Sequence, residues 1–198
     1  MNATVAPLSS MATLVAGHPF RGALHDEAPG GVGVVAMAAI ASPVLTQDMA
    51  LPGIAFEGDI GKLQLAPGDI LFRARGANNQ SIFVESAQKT CIFAAPLVRI
   101  RVNDPQQLDP HYLHWVINSA PIQRDISTQA RGSMIRMVSL PSVRGLLIPI
   151  PSLGVQLEIA EIARLLREEQ ALCAALLSTT QSYAEHLLWA KAQAATTP

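Results

Sequence analysis

"APGDILFRARGANNQSIF", residues 66–83, is the stretch on which the reading of this chain turns. A Pro-Gly turn followed by an alternating run marks a strand. Ile70, Phe72 and Ala74 fall on one face, and Leu71, Arg73 and Arg75 on the other. The strand then meets Gly76 and a row of amides, Asn78, Asn79 and Gln80. Two arginines and three amides gathered at one strand end need a reason in a chain that is 49% hydrophobic and carries a formal charge of −1.

Outward from this stretch the texture is consistent. "GGVGVVAMAAI", "SIFVE" and "TCIFAAPLVRIRV" are short apolar runs broken by Gly and Pro, which predicts a mainly antiparallel sheet, curled or closed into a barrel. "LDPHYLHWVINSA" predicts a helix: Asp109 caps it, Pro110 occupies its first turn, and Leu113, Val116 and Ile117 recur at helical spacing. "SMIRMVSL" and "GLLIPIP" read as further short strands. From Gln156 to about Ala195 there is neither Pro nor Gly, so a helix of about forty residues, roughly 60 Å long, follows. Ile159, Ile162, Leu166, Cys173, Leu177 and Leu187 mark its apolar seam, interrupted at Gln170 and Thr180. A helix that long cannot bury its stripe on a small domain, and a partner helix is the natural cover. Two shorter helices folding back are the alternative.

The fold class is therefore α+β: a mainly antiparallel, curled sheet plus a helix, then one long C-terminal helix for coiled-coil pairing. Residues 1–17 read as a leader, mobile or forming an edge strand. Residues 18–152 form the compact domain, and 153–195 the long helix. At 198 residues the chain suffices for one domain with a core and an appended element.

Charge is segregated. Up to Asp59, Arg21 stands against Asp26, Glu27, Asp48, Glu57 and Asp59. Between 60 and 150 the balance reverses, with Arg73, Arg75, Arg99, Arg101, Arg124, Arg131, Arg136 and Arg144 far outnumbering the lysines. Arginine over lysine suits a planar anion, phosphate or base edge. Cys91 and Cys173 lie far apart with no CxxC, which points to free thiols in a reducing cytoplasm. No basic segment leads into an apolar run at the N-terminus, and the run from Gly30 to Leu45 is too short and glycine-rich to span a bilayer.

Catalytic patterns are weak. "GVGVVA", residues 31–36, has the GxGxxA form, but a turn precedes it and Pro43 arrives within two turns, so a loop-to-strand transition accounts for it better than a dinucleotide site. His111 and His114 stand one turn apart without a third metal ligand and read as solvated. Asp69, in "PGD", reads as a turn residue. No GxSxG, HExxH, P-loop or paired-carboxylate motif occurs, and no cofactor is expected on this chain.

The arginine clusters carry more. "VRIRV" repeats the device of "FRARG", with Arg99 and Arg101 on one face. A third cluster, "QARGSMIRMVS", supplies Gln129, Arg131, Ser133 and Arg136. Arg pairs bidentately with guanine, and Asn or Gln with adenine. The expected DNA contacts are Arg73, Arg75, Asn78, Asn79, Gln80, Arg99, Arg101, Gln129, Arg131, Ser133 and Arg136.

In this order "LAPGDILFRARG", "CIFAAPLVRIRV", "LDPHYLHWVINS", "QARGSMIRMVS" and "LLIPIPSLGVQLEIAEIARLLREEQALCAALL" resemble the target recognition domains of type I restriction-modification specificity subunits, over roughly residues 60–190. The resemblance implies a non-enzymatic reader of double-stranded DNA. In that family two recognition domains, each followed by a long helix, pair their helices antiparallel as a spacer. A partner methyltransferase subunit binds S-adenosylmethionine and methylates adenine, and a separate motor-nuclease (restriction-translocase) subunit, where present, cuts. This chain has one recognition domain and one helix, so the resemblance implies a half-subunit that forms a homodimer or pairs with another half-subunit. The first sixty residues match poorly. A helix-mediated scaffold protein that ignores DNA is the rival from a different class, and a small enzyme using "GVGVVA" a third.

Overall fold

A computed structural model of the chain describes residues 4–22, 24, 31–37, 43–76, 79–87, 90–130 and 136–196. It divides into two units, Met1–Leu157 and Glu158–Pro198. The class is α+β, with open sheets and a long C-terminal helix.

The first unit is built on a five-stranded sheet of order β2-β9-β6-β7-β4. Its members are β2 (Ala12–Ala16), β4 (Val44–Leu45), β6 (Ile70–Arg73), β7 (Ser81–Val84) and β9 (Leu97–Val102). All pairings are antiparallel except β4 with β7. A second sheet runs β5-β3-β8, from β3 (Val32–Val35), β5 (Gly53–Ile54) and β8 (Cys91–Phe93). β1 (Thr4–Pro7) and β10 (Leu147–Ile150) form a separate antiparallel ribbon. The described part of the N-terminal segment, for which the sequence leaves open a leader or an edge strand, thus comprises β1, the short helix α1 (Leu8–Met11) and β2, the edge of the five-stranded sheet.

The opening stretch occupies the middle of the large sheet. β6 lies between β9 and β7, with Leu71 opposite both Arg99 and Ile82. Ile70, Leu71 and Phe72 are all fully buried. On the Leu71 face, Leu71, Ile82, Val84 and Leu97 join Val34, Ile92 and Phe93 of the second sheet in one apolar cluster. On the opposite face α3 (Pro110–Asn118) covers β7: His111 stacks on Phe83 with ring centroids 4.0 Å apart. A central strand is thus covered on both sides, each fully buried Leu, Ile or Phe contributing roughly 1.5–3 kcal/mol.

α3 starts as its sequence predicts. Asp109 accepts from the Tyr112 backbone N–H at 2.8 Å, Pro110 follows, and Leu113, Val116 and Ile117 are buried. Asp109→Ala is expected to destabilise the chain by about 1 kcal/mol through loss of this cap; an unchanged urea midpoint would remove the cap from the account. His114 corrects the expectation of a solvated histidine. It is 2% exposed, with Nε2 3.1 Å from the Ser81 carbonyl and 3.0 Å from Asn118 Nδ2. Asn118 also accepts from the Ser81 N–H at 2.7 Å, so this polar pair ties α3 to β7.

Three short helices interrupt a chain that the alternating pattern reads as strands and loops: α2 (Ile60–Leu63), α4 (Ala120–Gln129) and α5 (Leu140–Arg144). "GVGVVA" is β3 and its flanks; residues 38–42, where a dinucleotide-type helix would have to follow, lie outside the described residues. Burial pushes the Cys91 thiol up to about 11, as suits an inert core cysteine.

The second unit is helical. α6 runs Leu153–Thr196, beginning in the last residues of the first unit. Among the described residues no helix is long and apolar enough to cross a membrane.

Candidate nucleic-acid interface

The turn that launches β6 is braced from within. Gly68 takes φ 88°, a conformation that favours glycine. Asp69, 1% exposed, accepts from the Ala66 N–H at 2.8 Å, so it does shape the turn. It also receives Arg101 bidentately, Nε to Oδ1 at 2.6 Å and a terminal nitrogen to Oδ2 at 2.7 Å. Arg99 donates to the Gln64 carbonyl at 2.8 Å, and Arg101 reaches the same carbonyl at 3.2 Å. The hydrogen bonds to Asp69 raise the Arg101 pKa above its ordinary value, whereas burial, then the neighbouring Arg101 charge, lowers that of Arg99.

Arg99 and Arg101 do share one face, but it is the face turned towards the second sheet. Arg99 is 5% exposed, its guanidinium carbon 5.9 Å from the centre of the Phe93 ring. The expectation that it meets DNA is corrected: the alternating pattern gives the face, not what lies over it. Arg101 keeps 41% of its side chain in solvent but is committed to Asp69. Asn79 is corrected in the same way. It is 6% exposed, its side chain donating to the Arg73 carbonyl at 2.8 Å and its own carbonyl receiving Gln123 at 3.2 Å. This amide staples the loop after β6 and faces inward.

The outer end of β6 is different. Arg75 is exposed and forms an antiparallel bridge with Met137. The Gly76 N–H donates to the Arg136 carbonyl at 3.0 Å, and the Val138 N–H to the Ala74 carbonyl at 2.9 Å. These backbone bonds bring the first and third sequence clusters together, with Arg136 exposed and Met137 51% exposed beside Arg75. "SMIRMVSL" is thus, over its described residues, one bridge followed by the start of α5 and not a full strand. Gln80 is exposed where the loop re-enters β7, and Arg73 is half-buried. Gln129 is exposed at the end of α4. Asn78, Arg131 and Ser133 lie outside the described residues.

Met137 escapes a reading based on charge, and so does Gln64, whose backbone carbonyl holds two arginines. Only the alternation continuing through "MIRMVS" signals that this segment could pair with the end of β6. Among the described residues no group of three or more His, Cys, Asp or Glu is placed to hold a metal ion.

Several solved structures share this shape. The structure aligns with the type I restriction-modification S subunit from M. genitalium at TM-score 0.62 and 17% identity, over 92% of this chain and 43% of that one. It aligns with the HsdS subunit from Thermoanaerobacter tengcongensis at TM-score 0.60 and 15% identity, over 85% and 38%. A chain from a structure describing complex assembly and conformational transition of the type I system aligns at TM-score 0.67 and 15% identity, over 93% and 43%. The fold is that of a type I specificity subunit. This chain spans less than half the length of those solved chains. At the level of sequence, no family model and no curated protein matches it.

Proposed function

We propose that the chain reads double-stranded DNA sequence as the specificity subunit, or half-subunit, of a type I restriction-modification methyltransferase complex. The observation that carries this reading is the joining of Arg75 and Arg136 at one exposed strand end, on a fold shared with specificity subunits. Guanidinium groups held on a rigid strand end, with Gln80 nearby, offer the donors that phosphates and base edges accept. Gly76 leaves room for close approach, because nothing lies within 4 Å of where its Cβ would be.

The chain itself does no chemistry in this proposal. An adenine methyltransferase subunit supplies catalysis and binds S-adenosylmethionine, a restriction-translocase subunit can join, and α6 provides the contact through which a second recognition half is placed. The exposed apolar side chains of α6 would also serve a helix-mediated scaffold, and DNA binding separates the two readings.

Arg75→Ala and Arg136→Ala test the interface, assayed with the methyltransferase subunit present. If either side chain reads a base, binding to the selected site falls by about 1–3 kcal/mol while random DNA is held as before. If it holds phosphate, all sequences weaken together and the salt slope drops by about 1. Unchanged binding to every DNA would remove that arginine from the interface.

A further inference from the structure

The exposed strand end holds one side chain that a reading based on arginines leaves unused. Arg75 and Met137 oppose each other in an antiparallel bridge. Its hydrogen bonds lie one residue to either side, from the Gly76 N–H to the Arg136 carbonyl and from the Val138 N–H to the Ala74 carbonyl. That placement makes Arg75 and Met137 a non-hydrogen-bonded pair, the kind whose Cα atoms approach to about 4.5 Å. Their side chains leave the ribbon on the same face, side by side.

The neighbouring pairs fix which face that is. In the same register Ala74 stands opposite Val138, and the two are 6% and 3% exposed. Alternation turns this pair into the protein and the next pair out of it. Met137 is accordingly 51% exposed, and Arg75 is exposed beside it. Arg136 stands opposite Gly76, so the side chain next to Arg75 on this face is that of Met137. Met137 is held from both sides, by the ribbon bonds and by the helix that follows, which Ser139 caps by accepting from the Ser142 N–H at 3.2 Å. The other large apolar side chains exposed among the described residues of the first unit are Val5, Trp115, Leu147, Val155 and Leu157. They belong to the β1–β10 ribbon, α3 and the start of α6, so Met137 alone among them brings an apolar tip to the arginine end.

An arginine beside an apolar tip is a two-part probe for the major groove, which admits a two-stranded ribbon. The guanidinium matches the O6 and N7 acceptors of guanine. The apolar tip has one matching group there, the C5-methyl of thymine, because the other base edges offer donors and acceptors. Against those it would displace water and return no hydrogen bond. The thioether is also polarizable and packs well at a ring edge. Side chains about 5 Å apart suit neighbouring base pairs, which stack about 3.4 Å apart.

We propose that Met137 is a specificity-determining residue that reads a thymine through its C5-methyl group, next to the base pair met by Arg75. The inference rests on the recognition reading and adds one base identity to it.

The test begins with the duplex that the full chain, with the methyltransferase subunit, selects from random DNA. Each thymine of that site is replaced in turn by deoxyuridine, which removes the C5-methyl group and nothing else. For the unaltered protein one replacement is expected to weaken binding about fourfold, the worth of one buried methyl-sized group. Met137→Ala is expected to bind the selected site about fourfold more weakly and to hold the thymine and deoxyuridine duplexes equally at that position. This ratio is read within each protein, so a general loss of affinity does not imitate it. A site in which no thymine is sensitive would overturn the proposal and leave the recognition reading standing. So would a sensitivity at every such thymine that survives Met137→Ala. A weaker Met137→Ala protein without a sensitive thymine would show a wedge or a packing role, and would overturn it equally. Enrichment of no sequence at all would remove the recognition reading, and this inference with it.

Discussion

Arg101→Ala is expected to lower the unfolding free energy by about 3–5 kcal/mol, a structural loss from a residue that the sequence offers as a DNA contact. The substitution strips the bidentate partner from Asp69, a carboxylate 1% exposed, leaving it only the Ala66 N–H. In the intact protein Arg101 covers that carboxylate, whereas Arg101 itself, with 41% of its side chain in solvent, tolerates the converse deletion better. Asp69→Ala is therefore expected to cost less, about 2–3 kcal/mol after discounting for that exposure. Removing both charges, by Asp69→Asn with Arg101→Met, should cost less than the two single losses summed, which a double-mutant cycle in urea reads directly. An Arg101→Ala protein with an unchanged urea midpoint and lost DNA binding would return Arg101 to the interface.

Gln156→Ala carries the second large effect, about 2–4 kcal/mol. Gln156 is fully buried where α6 begins. Its Oε1 accepts the Asp109 backbone N–H at 2.9 Å, and its Nε2 donates to the carbonyls of Gln107 at 3.0 Å and Pro151 at 2.9 Å. One amide thus ties the loop before α3 to the segment after β10. Alanine leaves three part-buried backbone groups without this partner. Gln156→Glu keeps the acceptor, loses both donors and buries a charge, so it should be no better. A urea midpoint for Gln156→Ala within error of the parent protein would show that water replaces the amide.

These two residues mark where sequence reading stops. Elements with a strong local signature are legible: α3 through its Asp-Pro cap and apolar spacing, α6 through forty residues without Pro or Gly, β6 and β9 through alternation. α4 is not, because only Ile122 and Ile126 are buried in it, too short a stripe to stand out. Alternation places Arg99 and Arg101 on one face but is silent on the second sheet that covers it, so a buried brace reads like an open cationic surface. His114 misleads for the same reason, since its helix is covered on more than its most apolar face. Gln156 gives no composition signal at all: its role lies in three backbone groups, two of them 47 and 49 positions away in the chain and one only five. What survives of the candidate interface, Arg75 with Arg136, depends on a pairing 62 positions apart, between Arg75 and Met137.

The central claim is sequence-specific DNA reading, and selection tests it most directly. The protein is incubated with random duplex DNA, with and without an adenine methyltransferase subunit, and the retained fraction is sequenced. The account predicts enrichment of a gapped motif, palindromic if two copies pair through α6. Retained DNA as random as the input in both conditions would contradict it and leave α6 as the functional element of a scaffold.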